Sequence, residues 1–146
     1  MAVKTGVVLA AHADNLGEWL ADAAAYDAAG ADLLWIEVKG DDPLVLAAAL
    51  TRTTYRALLV VVTDQEAPET LHRLSNKRLR INSPHETERW VAIQPPQSRA
   101  EWREAIKEAE EHGADGVLVP VGPRLLDLLR NPEEPGERHD LELTVG

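Results

Sequence analysis

One unit occurs twice in this sequence, and it limits the fold more than any other feature. In each copy a helical segment begins at Glu-Trp, ends at Gly-Ala-Asp and leads directly into an apolar run. The copies occupy residues 18–36 and 101–119, so matching positions lie 83 residues apart. A helix that stops at glycine before a buried strand is half of a βαβ unit. The repeat therefore predicts parallel strands connected by helices.

The rest of the chain continues this alternation. Continuous apolar runs are typical of strands buried on both faces, and they cover 6–11, 33–38, 56–63 and 117–121. Shorter strands are predicted at 79–81 and 89–94, whose close spacing allows an antiparallel hairpin. Helices are predicted at about 16–29, 43–50, 68–74, 98–112 and 123–129. With six or seven strands and about five helices, the predicted fold class is α/β with a mostly parallel sheet.

The length of the chain limits how this sheet can close. A chain of 146 residues fits one α/β domain spanning 1–146. Residues 131–140 are predicted as a polar loop, and 141–146 as an edge strand or tail. Two closures agree with the pattern: an open, doubly wound sheet, or part of a (β/α) barrel completed or covered by another subunit. A complete (β/α)₈ barrel usually takes about 250 residues, so this chain is too short for one.

Charge and composition exclude several classes of partner. A net charge of −10 argues against nucleic acid and anionic membrane surfaces, which require basic patches. No apolar run approaches the ~20 residues of a membrane helix, and no secretory signal is expected. The absence of cysteine excludes disulfides and agrees with a cytoplasmic protein. The histidines lack the spacing of a metal site, so no metal is predicted.

Polar residues that directly follow predicted strands are the candidate site residues, because ligands of parallel α/β proteins meet the C-terminal ends of the strands. His12 could act as an acid, a base or a hydrogen-bond donor, or instead cap the next helix or pair with Asp14. Glu37 interrupts an apolar strand, so it either faces a cavity or pairs with a cation such as Lys39 or Arg56. The further candidates are Thr63, Asp64, Gln94, Gly122 and Arg124.

Two of these candidates have simpler interpretations. Asp64 is expected to cap the following helix rather than to act as a base. Arg124, beside Gly122 and Pro123 at a predicted helix start, could bind an anion, but a solvated arginine is the commoner outcome.

Four segments carry a family resemblance. They are Ala28–Ile36 (AAGADLLWI), Asp42–Leu50 followed by Arg56, Leu74–Leu79 (LSNKRL) and Gly113–Val117. In this order they resemble the bacterial-luciferase-like monooxygenase family, which are flavin- or deazaflavin-dependent oxidoreductases with a TIM-barrel fold. The resemblance spans most of 6–82 and continues over 98–122, with a shorter stretch between than full-length members have. It implies a shortened, partial (β/α) barrel.

The resemblance also implies a function. The protein would be an oxidoreductase that uses reduced FMN or the deazaflavin F420 on a small organic substrate. His12 and Glu37 would be the catalytic positions. The cofactor-binding positions would be Lys39, Thr63, Asp64, Gln94, Gly122 and Arg124.

A second hypothesis follows from differences between this chain and the family. Where members carry Gly-Thr-Gly in the third strand, this sequence has Val60-Val61-Val62, whose branched side chains would fill the space of the flavin ring. Such a chain would be a non-catalytic member that serves as a ligand-binding or partner-interaction subunit. Both hypotheses predict a homodimer or a partner subunit that covers the open barrel, because an unclosed sheet exposes edges and apolar surface.

Overall fold

The structure, a computed structural model, describes residues 2–11 and 15–131. This part of the chain forms six strands and five helices, which alternate except where β4 is followed directly by β5. The strands are β1 (Lys4–Ala11), β2 (Leu33–Val38), β3 (Leu58–Val61), β4 (Leu79–Ile81), β5 (Trp90–Ala92) and β6 (Gly116–Pro120). The helices are α1 (Leu16–Ala28), α2 (Pro43–Thr53), α3 (Glu69–Leu74), α4 (Arg99–Glu111) and α5 (Leu125–Arg130). His12, Asp14, and nearly all of the predicted loop and terminal strand lie outside the described residues.

All six strands are parallel, in the order β4-β3-β2-β1-β6-β5. This confirms the α/β class and the mostly parallel sheet. The hairpin predicted between 79–81 and 89–94 is wrong, because β4 pairs with β3 and β5 pairs with β6 at opposite edges of the sheet. Their spacing permits a hairpin, but β5 is the first strand of a β5–α4–β6 crossover and must therefore lie parallel to β6.

The connecting helices lie on one face of the sheet. Each step from a strand through a helix to the next parallel strand moves in the same direction, from β5 towards β4. Right-handed crossovers therefore place α1 to α4 on the same side. Burial agrees, since Val7, Leu34 and Val61 share one core with Trp19 and Trp102, which are 8% and 6% exposed. A doubly wound sheet has helices on both faces, so this arrangement is instead consistent with a partial (β/α) barrel.

The two copies of the repeat end their helices in the same way. Gly30 follows α1 with a φ of 108°, and Gly113 follows α4 with a φ of 77°. Only glycine enters this region without steric strain, so the glycine of the repeat is required by the turn from helix to strand.

The aspartate of each repeat attaches its strand to the preceding strand of the sheet. Asp32 Oδ2 accepts a hydrogen bond from Thr5 N at 2.9 Å, and Asp32 N donates to Thr5 O at 2.8 Å. Asp115 makes the same two bonds with Arg89, each at 2.8 Å. Gly-Ala-Asp is therefore a helix stop followed by a two-point attachment between neighbouring strands.

The length of the connection between the two edge strands indicates that it crosses the sheet on the face opposite α1 to α4. Residues 82–89 lead from the C-terminal end of β4 to the N-terminal end of β5 at the other edge. Eight residues span at most about 30 Å, and six strands about 4.8 Å apart already require about 24 Å. A path outside the helix layer would have to leave the sheet by about 10 Å and return by the same distance, which exceeds the reach of eight residues. Pro84 is buried within the connection.

The turn before β4 contains two non-glycine residues with positive φ. Asn76 and Lys77 have φ angles of 58° and 66°. Asparagine tolerates the left-handed region, whereas the lysine Cβ is strained there. The buried Ser75 hydroxyl holds the turn, because it donates to His72 O at 2.8 Å and accepts from Leu79 N at 3.2 Å.

Replacing Lys77 with glycine is expected to raise the free energy of unfolding by about 1 kcal/mol. The relief of strain at a φ of 66° outweighs the entropy that glycine adds to the unfolded chain. Urea denaturation of the two proteins measures the difference. Asn76→Gly is the matched control, with a smaller gain expected. Equal gains at both positions, or a loss at Lys77, would contradict the strain argument.

Candidate functional site

The sheet face opposite the helices carries rows of side chains that are set by the strand register; we call it the open face. The row nearest the strand N-termini contains Lys4, Trp90 and Gly116. The row after it contains Gly6, Leu33, Leu58, Ala92 and Leu118. The next row contains Val8, Trp35, Val60, Arg80 and Pro120. The last row contains Ala10, Glu37 and Val62. The open face is mostly apolar and in part exposed to solvent.

Trp90 fills the N-terminal end of the open face. A Cβ placed on Gly116 would lie 2.5 Å from Trp90 Cε3, and a Cβ placed on Gly6 would lie 3.1 Å from Trp90 Cζ3. Trp90 Nε1 donates to Glu88 Oε1 at 3.1 Å, which fixes the ring. This end of the face is therefore occupied by the side chain of the protein itself.

A cavity of about 560 Å³ lies at the C-terminal end of the open face. Its lining is formed by Ala10, Glu37, Val38, Lys39 and Val62. Glu37 Oε1 accepts a hydrogen bond from Trp35 Nε1 at 2.9 Å. Facing a cavity is one of the two predicted alternatives for Glu37. In the other alternative, Glu37 pairs with a cation. Arg56 instead pairs with Asp32, with 4.0 Å between Arg56 Nη2 and Asp32 Oδ1, and the described residues show no ion pair between Glu37 and Lys39.

The two predicted site residues after β3, Thr63 and Asp64, do not line this cavity. Thr63 N donates to Asn82 Oδ1 at 3.0 Å, and Asn82 Nδ2 donates to Thr63 O at 2.9 Å, which joins the ends of β3 and β4. Asp64 is exposed. Its predicted role as a helix cap is wrong, because α3 begins later and its N-cap is Pro68.

The predicted residues after β5 and β6 lie away from the cavity. Gln94 is exposed beside α4. Gly122 O accepts a hydrogen bond from the Tyr26 hydroxyl at 3.3 Å, and burial raises the pKa of Tyr26. Arg124 is exposed at the N-cap of the six-residue α5. Of the predicted site residues that the structure describes, Glu37 and Lys39 share a cavity and the others do not.

Sequence reasoning missed a buried carboxylate at the opposite end of the sheet. Asp27, 3% exposed, accepts hydrogen bonds from the backbone N–H groups of Tyr55, Arg56 and Ala57 at 2.8, 3.2 and 2.8 Å. It thereby holds the segment that leads from α2 into β3. The available signal was its place in the last turn of α1, where the helix dipole disfavours a carboxylate that lacks a specific partner.

Arg78 supports the same end of the sheet from the turn before β4. Its Nη1 donates to Thr54 Oγ1 and to Ala57 O, both at 3.0 Å. Burial lowers the pKa of Arg78. Because these groups lie at the N-terminal ends of the strands, we assign them to the architecture rather than to the cavity.

The ion pair between Lys4 and Glu88 predicts a pH dependence of stability. Lys4 Nζ donates to Glu88 Oε2 at 2.8 Å, and this bond raises the pKa of Lys4 and lowers the pKa of Glu88. A carboxyl group with a lowered pKa in the folded state stabilises the protein above its unfolded pKa, and this stabilisation is lost as the pH falls through the folded pKa. Glu88→Gln should therefore be less stable than the wild type at neutral pH, and the difference should shrink as the pH falls below about 4 and vanish below the lowered pKa of Glu88. Urea denaturation at several pH values measures this, with Glu86→Gln in the same connection as the control. A constant difference between Glu88→Gln and the wild type would contradict the assignment.

Within the described residues, no helix has the length and apolar character needed to cross a membrane. In the same residues, no group of three or more His, Asp or Glu side chains is placed to hold a metal ion. Comparisons with protein-family models, with curated proteins and with solved structures found no match for this chain.

Proposed function

We propose that the protein is a non-catalytic, cytoplasmic binding subunit whose incomplete (β/α) barrel is completed by a partner polypeptide. One observation supports this proposal. In the described residues, the parallel sheet ends at two edges, and its mostly apolar open face is covered only in part, by Trp90 and the connection at 82–89. A closed barrel pairs each strand on both sides and fills its interior with side chains. Here Ala10, Val62 and Pro120 on that face remain exposed, and further protein surface would bury them.

The oxidoreductase implied by the family resemblance stays a prediction, and the residues present do not fit a flavin bound in that manner. Val60 is fully buried on the open face, and Val62, 37% exposed, lines the cavity at the strand ends. Branched side chains at these positions keep a flat ring away from the β3 backbone. Glu37, a predicted catalytic group, is already bonded to Trp35. The non-catalytic binding function proposed here requires no flavin.

Titration with FMN, and separately with F420, tests the non-catalytic assignment. We expect a colourless protein after desalting and an unchanged Tm, since a ligand that binds the native state raises Tm. A stoichiometric flavin absorption band together with a raised Tm would overturn the assignment.

Binding of the dye ANS, which fluoresces on apolar surface, tests whether the open face is accessible. We expect Val62→Glu to reduce the ANS fluorescence, because it places a charge on this apolar surface. Val45→Glu is the matched control, since Val45 is 63% exposed on α2, on the other side of the sheet. Equal effects of the two variants would show that the dye binds elsewhere and would remove the support for the proposal.

A further inference from the structure

The β5 edge of the sheet offers backbone groups for a further strand. In a parallel ladder, successive residues direct their N–H and C=O groups to opposite sides. Arg89 O accepts from Asp115 N, and Ile93 N donates to Leu118 O, so these residues face β6. The backbone groups of Trp90, Ala92 and Gln94 therefore point away from β6, towards the edge.

Among the residues that the structure describes, the β4 edge is covered in a way that the β5 edge is not. The Arg80 guanidinium folds back along β4 and donates to Leu79 O at 3.0 Å and to Lys77 O at 2.7 Å. Charged side chains on an edge strand are a common protection against pairing with another chain. The β5 edge is therefore the better site for an added strand.

A groove of about 640 Å³ runs along the β5 edge, between β5 and α4 on the helix side of the sheet. Its floor is apolar and its outer wall is acidic. The floor contains Val91, Ile93, Ala105 and Ala109, and the wall contains Glu101, Glu104 and Glu108. These glutamates recur every three or four residues and so share one face of α4. Arg89 also lines the groove, and its Nη1 donates a hydrogen bond to His112 O.

We propose that this groove binds an extended segment of a partner polypeptide in which lysine or arginine alternates with apolar residues. This inference rests on the proposed function and specifies the partner. An added strand would direct alternate side chains to the two sides of the sheet. Its basic side chains would lay their aliphatic stems on the groove floor and reach the glutamates with their charged ends, while its apolar side chains would extend the open face. The net charge of −10 favours such a cationic partner over a second copy of the chain.

The test uses the full-length protein and a fluorescein-labelled seven-residue peptide that alternates lysine and valine. Fluorescence anisotropy measures its Kd. We expect saturable binding that weakens as salt increases. A glutamate–valine peptide of the same pattern should bind at least about tenfold more weakly, because its charge opposes that of the groove wall. A lysine–valine peptide that carries N-methyl groups at alternate positions should also bind at least about tenfold more weakly, since it lacks the donors for strand pairing.

Variants of the protein locate the binding site. Glu104→Lys combined with Glu108→Lys should weaken binding of the lysine–valine peptide about tenfold or more. Glu110→Lys combined with Glu111→Lys makes the same change in net charge outside the groove and should change the Kd much less. Glu101 is left intact because its Oε1 accepts from Gln97 N at the start of α4. Ala92→Pro should also weaken binding, since it removes an N–H that points away from β6.

The N-methylated peptide keeps the test valid even if Ala92→Pro fails to fold. Equal binding of the methylated and unmethylated peptides, equal effects of the two double-lysine variants, or no saturable binding would each overturn the inference. Occupation of this edge by a second copy, seen as a dimer in sedimentation that Ala92→Pro dissociates, would overturn it as well. A flavin band with a raised Tm would instead overturn the proposed function, so the two failures are distinguishable.

Discussion

Replacing Asp27 with alanine should lower the free energy of unfolding by about 3 kcal/mol or more. The buried carboxylate accepts three backbone N–H groups, and its removal leaves these donors without a partner at a site that water reaches poorly. Each buried donor that loses its acceptor costs about 1–3 kcal/mol, and hydrogen bonds to a charged acceptor lie at the upper end. Urea denaturation monitored by circular dichroism measures the loss.

Asp22→Ala is the control for Asp27→Ala. Asp22 lies on the same helix and its removal changes the charge equally, but Asp22 is exposed. We expect a change within about 0.5 kcal/mol for this variant. Similar losses for both variants would show that the helix, rather than the segment before β3, responds to the lost charge.

Gly116→Ala should be the second large effect, with a loss of about 2 kcal/mol. A Cβ at this position would overlap the indole of Trp90, which would have to leave the open face or displace β5 from β6. Overpacking of this kind costs about 1–3 kcal/mol. Thermal or urea denaturation measures the loss.

A double-mutant cycle assigns the effect of Gly116→Ala to the ring. In the Trp90→Val background the same change should cost much less, because no indole covers the position. Gly17→Ala in α1 is the control, since a Cβ there would meet Asn15 Oδ1 at 3.5 Å and alanine favours a helix. Equal costs of Gly116→Ala in the two backgrounds would contradict the assignment.

The repeat made the architecture predictable, because its signals are local. Glycine after α1 and α4 stops a helix wherever it occurs, and an apolar run without alternation implies burial on both faces. The pairing of β4 and β5 was not predictable from spacing, since the partner of each strand lies elsewhere in the chain.

The site was less predictable than the fold because its contacts join residues that are distant in the sequence. Glu37 could be placed at a strand end, but its bond to Trp35 and its nearness to Val62 depend on the register of the strands. Asp27 bonds to residues about 30 positions away, and no pattern within α1 identifies them. The groove beside β5 requires knowledge of which strand ends the sheet.

The strand order also divides the molecule at one ladder. Within the described sheet, β1–β4 and β5–β6 are joined by the pairing of β1 with β6, from Lys4 opposite Gly116 to Val8 opposite Pro120. If this ladder opens while the connection at 82–89 extends, the β5–β6 unit of one molecule can take the same place in another. Such a domain-swapped dimer would retain the register at β1 and would need no new interface. Slow exchange between monomer and dimer in concentrated solution would be its signature.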